Sequence, residues 1–123
     1  MSTILMIDDD KDFSGLVRAH FSALGYAVEL TEDGAAGLAR AAAVRPDVIF
    51  LDIMMPGMNG IEVLRELQAG DETSDIPVLI VSGKYFDQGM NDLFSQERNF
   101  KGFLAKPVAL AALQQRTEAL LKK

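Results

Sequence analysis

The sequence lacks several residue types and patterns that whole classes of protein require. It contains no cysteine, which excludes a disulfide framework, a thiolate metal site and a thiol nucleophile, and which fits a reducing cytoplasm. Lysine and arginine number 12 against 18 acidic residues, for a net charge of -6, so direct binding to a nucleic-acid backbone is not expected. No apolar run approaches the roughly 18 residues of a membrane span, and the first run is too short for a signal peptide. We therefore expect a soluble cytoplasmic protein that does not contact a membrane.

The length and composition favour one globular domain. A chain of 123 residues is close to the commonest domain size. Hydrophobic residues make up 49% and charged residues 24% of it, which is ordinary for a folded soluble domain and unlike a disordered segment. We expect a single domain over residues 1–123 with no output domain in this chain. If the chain is complete, its output is then a contact with another protein.

Short apolar runs alternate with segments of helical period. The runs predict five buried strands at residues 4–7, 27–30, 48–51, 78–81 and 102–105. Helical spacing after each of them predicts five helices, with the fourth near residues 87–95. The inward stripe of the first helix is predicted to contain Phe13, Leu16, Val17, His20, Phe21 and Leu24, and that of the fourth to contain Met90, Leu93 and Phe94. Gly25 suits the end of the first helix, Asp33 can cap the second, and Asn59 or Gly60 opens the third.

This alternation predicts an α/β fold with a parallel sheet covered by helices on both faces, because parallel strands need right-handed crossovers. Five units of about 25 residues fit the flavodoxin-like (βα)5 three-layer sandwich with strand order 2-1-3-4-5. Ligands in such sheets bind beyond the carboxyl ends of the strands, where strands 1 and 3 meet. Asp8, Asp9 and Asp52 directly follow those two strands, while Ser82 and Lys106 follow strands 4 and 5. The topology therefore predicts one polar site at this edge.

Electrostatics limits what this site contains. Two carboxylates about 4 Å apart repel by roughly 4 kcal/mol at an effective dielectric near 20, and Lys106 alone cannot offset three of them. Either one acid holds a proton or a cation lies among them. Hard oxygen ligands favour Mg²⁺, which binds few protein carboxylates and is commonly completed by a phosphate. A carboxylate between a divalent cation and a lysine is a plausible nucleophile toward phosphorus, so we hypothesise that Asp52 is phosphorylated.

Four motifs together resemble a response-regulator receiver domain over essentially the whole chain. They are the acid pair after ILMI, the stretch FLDIMMPGMNG around Asp52, IVSG with Ser82, and GFLAKP with Lys106. Each motif is weak alone, but all of them at the family's spacing form a specific signal. The resemblance implies a two-component phosphoacceptor of chemotaxis-regulator-like fold, phosphorylated by a sensor histidine kinase or a phosphotransfer protein. Such a protein is a signalling domain rather than an enzyme, although it assists its own phosphorylation and dephosphorylation.

The resemblance also implies roles for the residues of the site. Asp52 would accept the phosphoryl group and Lys106 would pair with its oxygens. Asp9 and Asp52 would bind Mg²⁺ directly together with the backbone carbonyl of Met54, and Asp8 would act through water.

A second set of implied roles concerns the response to phosphorylation. Ser82 would turn its hydroxyl onto the phosphoryl group and Phe103, at the position of the family's switch aromatic, would move inward. The output face would be helix 4, strand 5 and helix 5, through which a downstream protein binds and homodimers can form. The Lys106-Pro107 bond is expected to be cis, a geometry that only proline makes inexpensive.

Two further positions are expected to control the lifetime of the phosphoryl group. Met54 and Lys84 lie two residues beyond Asp52 and Ser82, where members of the family tune access of the hydrolytic water. Because the Met54 side chain offers that water no hydrogen bond, we predict a persistent phosphoryl group. His20 is expected to be a packed or surface histidine rather than a phosphotransfer residue.

Plainer interpretations exist for each of these residues. The acids after the first strand could simply cap the helix that follows, with Asp10 or Asp12 in that role. Asp52 could be a turn former and Lys106 a solvated lysine before a helix. Two other functions also fit an α/β sheet with these residues: an interaction module independent of phosphorylation, and a metal-dependent phosphohydrolase. The hydrolase would need a second acid and a substrate cap, and the sequence contains no inserted cap.

Overall fold

A computed structural model of the chain describes residues 2–54, 57, 59–83 and 88–121. Five strands and five helices alternate along the described chain. The strands are β1 (Thr3–Ile7), β2 (Ala27–Thr31), β3 (Val48–Leu51), β4 (Val78–Ser82) and β5 (Phe100–Ala105). The helices are α1 (Lys11–Ala23), α2 (Gly34–Val44), α3 (Gly60–Ala69), α4 (Gln88–Ser95) and α5 (Leu110–Leu121).

The five strands form one parallel sheet in the order β2-β1-β3-β4-β5, which confirms the predicted flavodoxin-like topology. β1 lies between β2 and β3, with Ile7 opposite both Thr31 and Leu51. The chain leaves the sheet toward opposite sides at this point, so the loops after β1 and β3 diverge and leave a crevice between them.

Each face of the sheet carries its own hydrophobic core. Because successive strand residues point to opposite faces, Leu5 and Ile7 of β1 belong to one cluster while Ile4 and Met6 belong to the other. The first cluster packs under α2, α3 and α4 and the second under α1 and α5. The central strands β1, β3 and β4 are almost fully buried, which makes the sheet a rigid support for the side chains at its edge.

The first helix buries a narrower face than its apolar spacing predicts. Val17 and Phe21 have no exposed surface, as expected. Leu16 is 59% exposed and Leu24 is 45% exposed, so the prediction that they face inward is wrong. Leu16 precedes Val17 by one residue and is therefore rotated by about 100° around the helix, while Leu24 is the residue that caps the end of α1.

The helix starts follow the predicted caps. The Asp10 carboxylate accepts the N–H of Phe13, and the Asp33 carboxylate accepts the N–H of Ala36. Asn59 and Glu62 form a reciprocal capping box at the start of α3. Such caps satisfy backbone donors that the first turn leaves free, each contributing about 1 kcal/mol.

The last crossover departs from the prediction at Leu93 and at the start of β5. The helix α4 begins at Gln88, whereas the predicted first residue, Asp87, lies outside the described residues. Phe94 is 4% exposed but Leu93 is 39% exposed, so the inward placement of Leu93 is wrong; it neighbours Phe94 and lies on a different side of the helix. The strand β5 begins two residues earlier than predicted, at Phe100 opposite Val78, and a register irregularity follows before Phe103 pairs with Ile80.

Among the residues that the structure describes, no helix has both the length and the apolar character to cross a lipid bilayer.

Candidate functional site

The carboxyl ends of β1 and β3 bring the predicted acids together. The Asp8 N–H donates to the Thr31 carbonyl at 3.0 Å, and the Asp52 N–H donates to the Ile7 carbonyl at 2.9 Å. Both acids thus continue the hydrogen-bonding pattern of the sheet by one residue. Asp8 is 1% and Asp52 5% exposed, so the sheet edge holds two carboxylates that solvent barely reaches.

The Asp52 carboxylate is fully engaged by neighbouring donors. Its Oδ1 accepts the Met54 N–H at 2.8 Å and the Ser82 hydroxyl at 2.7 Å. Its Oδ2 lies 3.3 Å from the Lys106 Nζ. Donors from the loop after β3 and from the ends of β4 and β5 therefore converge on one carboxylate, as the topology predicted.

Lys106 is closest to a different acid. Its Nζ lies 2.7 Å from Asp8 Oδ2 and 3.6 Å from Asp10 Oδ2. The backbone N–H of Lys106 donates to the Ser82 carbonyl at 2.9 Å, which anchors the base of this side chain to β4. The Lys106-Pro107 peptide bond is cis, as the resemblance implied.

The surroundings of the two buried carboxyl groups shift their pKa values in opposite directions. Burial raises the pKa of Asp8 to about 6, and the charge of Asp52 adds to this, although Lys106 and the Asp10 N–H oppose it. Burial alone would also raise the pKa of Asp52, but hydrogen bonds from Met54 and Ser82 and the charge of Lys106 outweigh it and hold that pKa below its usual value. Asp52 is therefore the one of the two carboxyl groups that stays ionised more readily.

The two carboxyl groups in turn shift the pKa of the Lys106 ammonium group. Burial alone would lower the pKa of Lys106, but the carboxylates of Asp8 and Asp52 outweigh it and raise the pKa above its ordinary value. Lys106 thus remains a cation, and it faces more negative charge than it can neutralise.

The donor set fits a hard divalent cation. Carboxylate oxygens of Asp8, Asp9 and Asp52 all lie within 4.8 Å of one another, with Asp9 exposed and the other two buried. Oxygen ligands without imidazole or thiolate suit Mg²⁺. The excess negative charge in a partly desolvated crevice gives such an ion a reason to bind there.

The other residues singled out from the sequence lie at different distances from the acids. Ser82 is completely buried at the end of β4, with its hydroxyl already on Asp52. Phe103 is half-buried in β5 and packs against the core cluster under α2, α3 and α4. Met54 is 54% exposed beside the site, whereas Lys84 lies outside the described residues. His20 is half-buried, and its Nε2 lies 2.8 Å from the Gln114 side-chain oxygen of α5, so it links two helices away from the acids.

Two residues of the site, Asp10 and Phe13, were not predicted from the sequence to lie there. Asp10 both caps α1 and approaches Lys106, and the Phe13 ring lies under the same ammonium, 4.9 Å from Nζ to the ring centroid. The sequence marked Asp10 as a helix cap and Phe13 as a core residue. The second role of each residue is its contact with Lys106. Lys106 is distant in the sequence, so no local pattern specifies this contact.

Comparison with protein families gives one match that covers nearly the whole chain. The model of the response regulator receiver domain matches residues 4–118. Among curated proteins, the response regulators MprA of Mycolicibacterium vanbaalenii and of Mycobacterium avium are each 36% identical over 120 residues, covering 98% of this chain and 50% and 51% of their own. The chain thus spans about half the length of the curated relatives it matches.

Solved structures show the same similarity. The chemotaxis protein CheY4 of Vibrio cholerae superposes with a TM-score of 0.91 at 26% identity, covering 98% of this chain and 99% of its own. The receiver domain of a sensor histidine kinase from Pseudomonas aeruginosa gives a TM-score of 0.86 at 26% identity, covering 99% and 98%. That domain has a magnesium ion coordinated in its active-site cleft.

Proposed function

The chain belongs to the response regulator receiver domain family, and from this we propose that it is a phosphorylation-controlled switch whose Asp52 accepts a phosphoryl group from a phosphohistidine. The donor is a sensor histidine kinase or a phosphotransfer protein. The observation that carries the proposal is the convergence of Ser82, Lys106 and the Met54 N–H on the Asp52 carboxylate. These donors hold the pKa of Asp52 below its usual value although burial alone would raise it, so the carboxylate is ionised.

The proposed reaction is a displacement at phosphorus. An Asp52 oxygen forms the new bond to phosphorus while the bond from phosphorus to the imidazole nitrogen breaks, and that nitrogen keeps the electron pair. Lys106, now paired with Asp8, turns to the phosphoryl oxygens and stabilises their charge. Because the crevice excludes most water, this interaction is stronger than it would be at the surface.

We propose that Asp9 and Asp52, with the backbone carbonyl of Met54, hold Mg²⁺ directly and that Asp8 acts through water. The ion would neutralise charge on the carboxylates and on the phosphoryl oxygens. The support is the oxygen cluster of Asp8, Asp9 and Asp52 and the magnesium ion in the related domain from Pseudomonas aeruginosa.

The response to phosphorylation is proposed to pass through Ser82 and Phe103 to the face formed by α4, β5 and α5. Ser82 already donates to Asp52 at 2.7 Å, so its hydroxyl can follow the added phosphoryl group with a small rotation. Phe103 is half-buried, so its ring can move between a more exposed outward position and a more buried inward one. A two-state packing biased in this way would bind a downstream protein or a second copy of the chain differently before and after phosphorylation, with no direct contact to nucleic acid.

The proposal is tested by intact-mass spectrometry after incubation with Mg²⁺ and a small acyl phosphate. We expect a single phosphoryl adduct that requires Mg²⁺ and that is absent from the Asp52→Asn variant. Asp71→Asn, which removes an exposed acid in the loop after α3, is the matched control and should be phosphorylated like the wild type.

Each of the other possible outcomes would support a different assignment of function. An adduct that persists in Asp52→Asn would place the phosphorylated residue elsewhere. No adduct with either the acyl phosphate or a phosphorylated histidine kinase, while Mg²⁺ binds, would favour the interaction module that works without phosphorylation. Continuous release of phosphate from added monoesters would favour the phosphohydrolase.

A further inference from the structure

The ammonium of Lys106 is held by three carboxylates and also lies over an aromatic ring. Its Nζ lies 2.7 Å from Asp8, 3.3 Å from Asp52 and 3.6 Å from Asp10, and 4.9 Å from the centroid of the Phe13 ring. This distance is within the range of a cation–π interaction. The Lys106 side chain is only 16% exposed, and such interactions are stronger when water is excluded.

The position of the ring is set independently of Lys106. Asp10 Oδ1 accepts the Phe13 N–H at 3.1 Å, which fixes the first turn of α1. The ring itself is half-buried and packs against the core cluster under α1 and α5. The helix cap and the core therefore position the ring through contacts that do not involve the lysine side chain.

A ring face and a carboxylate hold an ammonium group in different ways. A carboxylate accepts through a directed hydrogen bond, so a turn of the ammonium away from Asp8 toward a phosphoryl group on Asp52 weakens its short contact with Asp8. The ring attracts the same cation through its electron-rich face without a directed acceptor. The ammonium can therefore shift between oxygen partners and keep the attraction of the ring.

We propose that Phe13 is a positioning residue for Lys106, whose ring keeps the ammonium at the site while it passes from Asp8 to the phosphoryl group on Asp52. This inference rests on the proposed function, because it assigns a residue to the same phosphoryl transfer.

The first test measures the initial rate of Mg²⁺-dependent phosphorylation by a small acyl phosphate. We expect Phe13→Leu, which keeps apolar volume but removes the ring, to be about fivefold slower, equivalent to about 1 kcal/mol. Phe13→Tyr keeps the ring and should stay within about twofold of the wild type. Tyr26→Leu is the matched control, because Tyr26 is another half-buried ring on the same core cluster, and it should phosphorylate at the wild-type rate.

The same comparison in a Lys106→Met background separates positioning from packing. If Phe13 acts through the ammonium, Phe13→Leu should have no further effect once the charge is gone. A Phe13→Leu variant as fast as the wild type would overturn the inference. So would equal slowing by Phe13→Leu in both backgrounds, or equal slowing by Tyr26→Leu.

The second test does not depend on phosphorylation. Unfolding by urea is measured for Phe13→Leu, Lys106→Met and the double variant without metal. We expect the double variant to change the unfolding equilibrium constant by about fivefold less than the product of the two single effects, because the shared contact is lost only once. Independent single effects would overturn the inference. If the wild type forms no adduct at Asp52, the proposed function fails and with it the role of Phe13 in the transfer, whereas this second test still decides whether the ring holds the Lys106 ammonium.

Discussion

Replacing Asp8 by asparagine is expected to make the metal-free protein more stable at neutral pH. Asp8 is 1% exposed and pairs with Lys106 at 2.7 Å, yet burial raises its pKa to about 6. The ion pair therefore does not offset the cost of burying the charge. Asparagine keeps the size and one oxygen acceptor of the protonated acid and removes the charge.

The size of the stabilisation follows from the pKa of Asp8, which is about 6 in the folded state and 3.8 in the unfolded chain. The folded protein binds the proton more tightly, so stability is lost as pH rises between these two values, and the loss is complete above pH 6. At pH 7.5 the ionised Asp8 costs about 3 kcal/mol, and at pH 5 about half as much. We therefore expect Asp8→Asn to raise the melting temperature on the order of 10 °C at pH 7.5 and clearly less at pH 5.

The assay is urea or thermal unfolding of both proteins at the two pH values in the presence of a chelator. Asp71→Asn is the control for the change in net charge, since this exposed residue should alter stability little. Mg²⁺ should narrow the gap between Asp8→Asn and the wild type, because a cation that binds the folded state stabilises the wild type more. An Asp8→Asn variant less stable than the wild type at pH 7.5, or a gap that grows toward pH 5, would refute the reasoning.

Substitutions at four further positions test other parts of the structure. Met54→Asn should shorten the lifetime of the phosphoryl group about tenfold, because the amide offers the attacking water a hydrogen bond; equal or slower release of phosphate would contradict this. Gly60→Ala should cost about 2 kcal/mol in urea unfolding, because the added methyl group would overlap Ile53, whereas Gly15→Ala, where the space is open, should stabilise α1 by up to about 1 kcal/mol. Arg45→Gly should add about 0.5 kcal/mol, because Arg45 has φ +48° and glycine relieves that strain at some entropic cost; an equal gain from Arg45→Ala would show that strain is not the cause.

The fold and the composition of the site were predictable because both depend on local signals. Each buried strand is a short apolar run, and each of the acids follows one directly, so the order of a parallel sheet brings them to one edge. The inward faces of the helices were less predictable. Apolar spacing defines the direction of a buried face but not its width, which is why Leu16 and Leu93 are exposed although both lie on an apolar stripe.

The early start of β5 shows the same limit for strands. Asn99 is held by Gln68 and Leu64 of α3, and its carbonyl accepts the Val78 N–H. These contacts start the pairing of β5 with β4 before the apolar run begins. The roles predicted for the site residues stay predictions, because position alone does not test them; these residues are Asp8, Asp9, Asp52, Met54, Ser82, Phe103 and Lys106.

The sequence by itself determined the alternation of strands and helices, the helix caps at Asp33 and Asn59, and the acids that end β1 and β3. These features depend on the neighbours of each residue along the chain. Only the tertiary structure decided that Lys106 pairs most closely with Asp8, 98 positions away, and that Phe13 lies beneath it. The physical reason is that the pKa of Asp8 depends on its burial and on its contact with Lys106. Both arise only when segments from the two ends of the chain pack together.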